Sequence, residues 1–155
     1  MRKRVYGLPI LFLIAVGCAA AQPASSVYDE KADARHEIEA AKATAGVESK
    51  NIVLVFGANW CGDCRALDAQ MHKSDLASIL EANFVVVKVD VGRFDKNLEL
   101  AEQYHVPIKH GIPALAVLDS HGSLLYAMDQ GQFADARHMS YDSIKAFFVQ
   151  WEPKR

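Results

Sequence analysis

One stretch restricts the fold of this chain more than any other: Asn51-Ile-Val-Leu-Val-Phe-Gly-Ala-Asn-Trp-Cys61-Gly-Asp-Cys64-Arg65. An apolar run over residues 52–56 has the length and β-branched content of a buried strand, and it stops at Gly57. Two cysteines follow, three positions apart, and the mixed polar and apolar pattern of residues 65–72 predicts a helix. With Cys61 at the first helical turn, its sulfur faces backbone N–H groups that have no partner inside the helix, at the positive end of the helix dipole. That setting favours the thiolate, which is the reactive form. Cys64 lies one turn on, close enough to close a disulfide with Cys61 and expel a partner bound there. The spacing therefore points to a redox couple.

Other uses of paired cysteines fit less well. A structural zinc site needs four ligands, commonly two such pairs or one pair with two spaced histidines. The chain has three cysteines, and the third, Cys18, falls in an apparent export signal. Covalent haem attachment needs C-x-x-C-H, but position 65 is Arg. A purely structural bridge at this spacing closes a tiny loop and adds little by chain entropy. No metal and no cofactor is expected, and His105, His110 and Met139 lack ligand spacing.

At this point the chain resembles the thioredoxin family. The resemblance rests on Val53-Leu54-Val55-Phe56, on Ala58-Asn59-Trp60-Cys61-Gly62-Asp63-Cys64 and on Gly111-Ile112-Pro113-Ala114, and it extends over residues 51–151. It implies an α/β, thioredoxin-like fold, a central mixed β-sheet flanked by helices, here with an extra N-terminal helix. It also implies thiol–disulfide exchange at Cys61 and Cys64. Trp60 would shield the pair, Gly62 would leave the sulfur accessible, and Pro113 would follow a cis bond beside the cysteines. The backbone of Ile112 would then offer a hydrogen-bonding edge to an extended client.

Residues 1–21 have the pattern of a secretory signal. Arg2, Lys3 and Arg4 precede an apolar run over residues 8–17, and Ala19-Ala20-Ala21 offers a cleavage site. Such a run is short for a membrane span. Without those three cations, 14 basic residues face 19 acidic ones, so the exported chain is near −5. That balance gives no reason to propose a nucleic-acid partner or an anionic membrane surface. Ala15-Val16-Gly17-Cys18 also resembles a bacterial lipoprotein signal, although Ala15 is smaller than the usual aliphatic residue. The soluble periplasmic form is the expectation, and a lipoprotein anchored through Cys18 is the alternative.

With 155 residues and 51% hydrophobic content, one domain with a real core is expected. The division is a signal over 1–21, a tether and N-terminal helix over 22–50, and the main domain over 51–155. Ser26 is a candidate cap for a helix over 29–45 that ends at Gly46, with Ala32, Ile38, Ala41 and Ala45 as its apolar stripe. Ser74 is a candidate cap for a helix over 75–81, and residues 84–89 read as an interior parallel strand completing a βαβ unit. The loop 91–95 should then border the cysteines. A helix over 96–104 follows, then a hairpin with strands 114–118 and 123–128 about the turn 119–122. The last helix, 141–151, is capped by Ser140.

The loop 129–139 is longer than the connection common in thioredoxins and returns to the cysteine edge. Phe133, Arg137 and His138 are its candidates for client selection, against a simple solvated insertion. Two departures from the family bear on the direction of electron flow. Asp63 stands where thioredoxins commonly have proline. An anion roughly 7 Å from Cys61 opposes its ionisation by about 0.6–2.4 kcal/mol, depending on dielectric. The helix terminus returns only about 0.3–1 kcal/mol. The balance tilts towards a reducing poise. Val55 replaces the buried acid that, in thioredoxins, helps move the proton of the second cysteine, and Lys88 and Asp90 are the nearby candidates to replace it.

The expectation is a periplasmic thiol–disulfide oxidoreductase that reduces client proteins. As a reductase it would need a membrane electron donor, and it would meet the membrane itself only if Cys18 is lipidated. The alternatives are a client-specific reductase in cytochrome c or copper-site maturation, and a non-catalytic thioredoxin-like binding module.

Overall fold

The computed structural model describes residues 26–154. The expected export signal, Cys18 and the first part of the expected tether lie outside them. The sheet has four strands, β1 (Asn51–Gly57), β2 (Phe84–Asp90), β3 (Ala114–Leu118) and β4 (Leu124–Ala127), in the order β2-β1-β3-β4. β1 pairs with β2 in parallel and with β3 antiparallel, and β3 pairs antiparallel with β4, so the sheet is mixed. Every residue of β1 is buried, which is why residues 52–56 are continuously apolar rather than alternating.

Two apolar layers cover the sheet. On one side α1 (Ala34–Glu48) contributes Ile38, Ala41 and Ala45 against Leu54, Phe56 and Val87, and α4 (Leu98–Gln103) adds Leu100. On the other side α2 (Gly62–Met71), α3 (Ser74–Asn83) and α5 (Tyr141–Gln150) bring Leu67, Leu76, Ile144 and Phe148 against Val53, Val55, Leu115 and Val117. The N-terminal helix is thus part of the same packed unit as the sheet.

The parallel register aligns Gly57 with Asp90, and Val91 N–H donates to the Gly57 carbonyl at 2.9 Å. The end of β2 therefore lies beside the segment that leads into the cysteines. The return of β4 does the same from the other side, because Met128 N–H donates to the Leu115 carbonyl at 3.0 Å. Both flanking loops, 91–97 and 129–139, rise from this edge of the sheet.

Three local expectations are corrected. The first helix starts at Ala34 rather than near Asp29, and its cap is Asp33, whose carboxylate accepts from His36 N–H at 3.1 Å. Residues 26–33 are held non-helical because the backbone of Tyr28 is bonded elsewhere. At the other end the helix passes through Gly46 and stops at Ser49, which adopts the left-handed conformation (φ 55°). Ser74 begins α3 rather than capping it, and Lys73 in the cap position offers no side-chain hydrogen bond.

Candidate active site

Cys61 is the N-cap of α2, and Cys64 lies in its first turn. The two sulfurs form a disulfide, with Cα atoms 5.3 Å apart. Cys64 N–H donates to Cys61 Sγ at 3.1 Å, so the cysteine plays the role that a Ser or Asp oxygen plays at an ordinary helix start. Once the bridge opens, that N–H and the helix terminus remain aimed at Cys61, where negative charge would develop. The sulfurs are not equivalent: Cys61 is 5% exposed and Cys64 1%. Cys61 is the outer member.

The Ile112–Pro113 peptide is cis, and both residues are buried next to the motif. Cys61 Sγ stands 3.4 Å from the Ile112 carbonyl oxygen. A bridged sulfur carries no proton, so this is a contact in the oxidised state and a potential S–H donation in the reduced one. Trp60 is 46% exposed, and its indole Nε1 donates to the Gly92 carbonyl at 2.7 Å. Phe94 meets its ring edge-on, with centroids 5.9 Å apart. The loop after β2 thus holds Trp60 at the rim, as its position at the cysteine edge demands.

Asp63 does not stand alone. Its Oδ1 accepts from Arg137 N–H at 3.0 Å and from Arg137 Nε at 3.1 Å, across 74 residues of chain. Burial works to raise the carboxyl's pKa, but the hydrogen bonds and charge of Arg137, with a smaller effect from His138, outweigh it and hold the group below its ordinary value. The expectation of an unpaired anion opposing Cys61 is therefore corrected, because a cation accompanies it. The same guanidinium lies over Gly62, at 3.4 Å from where a Cβ would stand. Gly62 keeps the motif open to Arg137 as much as to a client.

The other loop candidates divide. Phe133 is 2% exposed and packs edge-on against Phe147 at 5.1 Å, so it anchors the loop from within. His138 is exposed and pairs with Asp135 at 2.5 Å. Lys88 and Asp90 are also committed, Lys88 Nζ to Asp68 at 2.8 Å and Asp90 to Lys96 at 3.3 Å. Val55 is fully buried in the apolar layer under α2, α3 and α5. Among the described residues no three of His, Cys, Asp and Glu are grouped to hold a metal ion.

Two residues were given no role by sequence reasoning. Asn59, two places before Cys61, takes the Tyr28 N–H on its Oδ1 and donates its Nδ2 to the Tyr28 carbonyl, both at 2.9 Å. This clasp draws Tyr28, 0% exposed, into the space behind the disulfide. The one local hint was Gly57 at the end of the strand, where a Cβ would overlap the Tyr28 hydroxyl and come to 2.9 Å of Cys64 Sγ.

A family profile described as Thioredoxin-like matches residues 33–120. The chain belongs to the thioredoxin-like family. The structure of a disulphide isomerase from Xylella fastidiosa Temecula1 superimposes with a TM-score of 0.79 at 44% identity, covering 81% of this chain and 96% of that one. Thioredoxin-1 of Drosophila yakuba is 38% identical over 65 residues, which is 42% of this chain and 56% of that protein. A protein disulfide-isomerase of Ricinus communis is 31% identical over 121 residues, 76% of this chain and 22% of that much longer protein. The chain thus spans only about half of the first of these curated relatives and about a fifth of the second.

Proposed function

We propose that the protein is a thiol–disulfide oxidoreductase of the periplasm, which reduces disulfides of client proteins through Cys61 and Cys64. The observation that carries this is the bridge itself: a disulfide at the start of a ten-residue helix, with both cysteines buried and Cys61 the less enclosed of the two. In the reduced form the Cys61 thiolate attacks a client disulfide and forms a mixed disulfide. Cys64 then attacks Cys61, and the client leaves with both its sulfurs reduced. Two electrons pass from the protein's dithiol to the client, so a membrane-embedded thiol donor must restore the dithiol outside the cytoplasm. Trp60 and Phe94 supply apolar surface at the rim for the client chain.

The periplasmic address is supported by the cationic start, apolar run and Ala19-Ala20-Ala21 of the sequence. Intact mass of the exported protein tests it: a first residue of Gln22 fits the soluble form, and a lipidated Cys18 fits an anchored one. A second reading, disulfide isomerase, is favoured by the pairing of Asp63 with Arg137, which weakens the electrostatic case for a strongly reducing poise. The Xylella relative named as a disulphide isomerase points the same way.

One set of measurements separates these readings. The reduced protein is mixed with a disulfide-bonded client and with a scrambled one, and its reduction potential is measured. Stoichiometric reduction of the first supports the reductase, and catalytic recovery of the second supports the isomerase. A potential well below about −300 mV, with no reaction towards either, identifies a non-catalytic module with a structural bridge. A Cys64→Ser variant that captures one dominant client would narrow the reductase to a dedicated maturation factor.

A further inference from the structure

The Tyr28 hydroxyl is completely enclosed and has no hydrogen-bond partner among the described residues. A buried phenol left unpaired is costly and uncommon. The hydroxyl and Cys64 Sγ share the space above Gly57, the one place in β1 where no side chain intervenes. The position is imposed, since both backbone groups of Tyr28 are clasped by Asn59 in the loop that carries Cys61. A hydroxyl donor thus stands in the same small space as the inner sulfur and is idle while that sulfur is bridged.

We infer that Tyr28 is a positioning residue for the second half of the exchange: its hydroxyl donates a hydrogen bond to the Cys64 sulfur once the bridge opens, and stabilises the Cys64 thiolate that releases the client. In that step the Cys64 thiol gives up its proton, and its sulfur bonds to Cys61 Sγ. The Cys61–client S–S bond breaks with its electron pair going to the client sulfur, and that sulfur takes up a proton. Tyr28 keeps its own proton throughout. Burial, followed by the carboxylates of Asp68 and Asp90, pushes its phenol well above the usual tyrosine value, so it acts as a neutral donor.

The charged groups around it are accounted for. Asp68 on α2 is paired with Lys88 on β2, whose Nζ stands 5.8 Å from the centroid of the Tyr28 ring. Asp90 on β2 is paired with Lys96, and Glu30 accepts from Asn59 Nδ2. The position that carries a buried acid in thioredoxins is Val55, so the chain would use a neutral hydroxyl from its N-terminal segment where an acid is missing. The inference rests on exchange at Cys61 and Cys64 and not on its direction.

The test is Tyr28→Phe, which keeps the ring. The reduced protein is mixed with an aromatic disulfide whose released thiol absorbs light, and both releases are followed by stopped flow. The first release is bimolecular and reports attack by Cys61, and the second is unimolecular and reports resolution by Cys64. The expected result is an unchanged first phase and a second phase slowed about tenfold, the low end for a lost hydrogen bond to a charged group. Its pH midpoint should rise by about one unit. Because the bond exists only in the reduced form, the reduction potential should fall by about 30 mV for the same tenfold.

An unchanged second phase, pH profile and potential in a wild type that turns over would overturn the inference. No reaction in the wild type would instead sink exchange itself. The unmodified protein gives an independent reading: with Cζ-labelled tyrosine, the Tyr28 signal should move on reduction while that of Tyr126 stays. A Tyr28 signal indifferent to redox state would also overturn it, even if the variant failed to fold.

Discussion

Gly57 and Gly62 bracket the disulfide from two sides that differ in kind. A Cβ at Gly57 would run into the hydroxyl and ring carbon of a fully buried tyrosine and crowd Cys64 Sγ. The atoms nearest a Cβ at Gly62 would be those of the Arg137 guanidinium, the far end of a flexible and mostly exposed side chain. The inner sulfur is therefore governed by packing, which salt and buffer do not reach. The outer sulfur lies beside the Asp63–Arg137 pair, whose cation is mostly exposed and within their reach. One helix start serves two cysteines under two kinds of control.

The sharpest way to break this contrast is to remove the inner sulfur. Cys64→Ser should lose turnover altogether, yet its Cys61 should still attack a client disulfide and leave a stable mixed disulfide that is visible by mass. Release of the client at the wild-type rate would show that the inner sulfur has no separate part. Next in size is Gly57→Ala. Overpacking against Tyr28 and Cys64 should destabilise the oxidised protein by about 1–3 kcal/mol in urea unfolding.

Arg137→Ala tests the outer side. Stripped of its partner, the Asp63 anion opposes the Cys61 thiolate, so the absorbance midpoint of thiolate formation should rise by about half a pH unit or more at low salt. High salt should shrink that difference. Stability follows a sign that can be worked out. The Asp63 carboxyl is held below its ordinary pKa, so its contribution is present above the unfolded value, about 3.9, and is lost as pH falls through the lower folded value. The stability gap between wild type and Arg137→Ala should be open at neutral pH and close below about pH 4. The smallest effect belongs to Gly62→Ala, expected to stay within about 0.5 kcal/mol of wild type. A loss as large as that of Gly57→Ala would end the distinction between the two sides.

What the sequence made legible follows from range. β1, the parallel partner β2 and the hairpin of β3 and β4 were readable because apolar runs and turn residues act between near neighbours. Asp119 is an example: it accepts from His121 N–H and Ser123 N–H, both at 2.8 Å, within its own turn. The cysteine pair was legible for the same reason, being contained in one helical turn. The start of α1 was not, because Tyr28 is pulled out of any helix by Asn59, 31 residues away. Asp63 was misjudged as unpaired because its partner is 74 residues on. Phe133 looked like a surface candidate in a polar loop, yet Phe147 on α5 gives it a buried seat. Composition announces that such a loop is long, and only the packed molecule tells which of its residues face inward.

The clasp between Asn59 and Tyr28 has a practical consequence for anyone trimming the chain. The family match begins at residue 33, and a truncation there would spare every helix and strand. It would also strip away the strap that backs the disulfide, leaving Gly57 bare and the second cysteine open to water. Such a shortened protein should still look folded by circular dichroism while its hidden thiol, once reduced, becomes easy prey for alkylating reagents. The integrity of this domain is better judged by how slowly that thiol is alkylated than by its helix content.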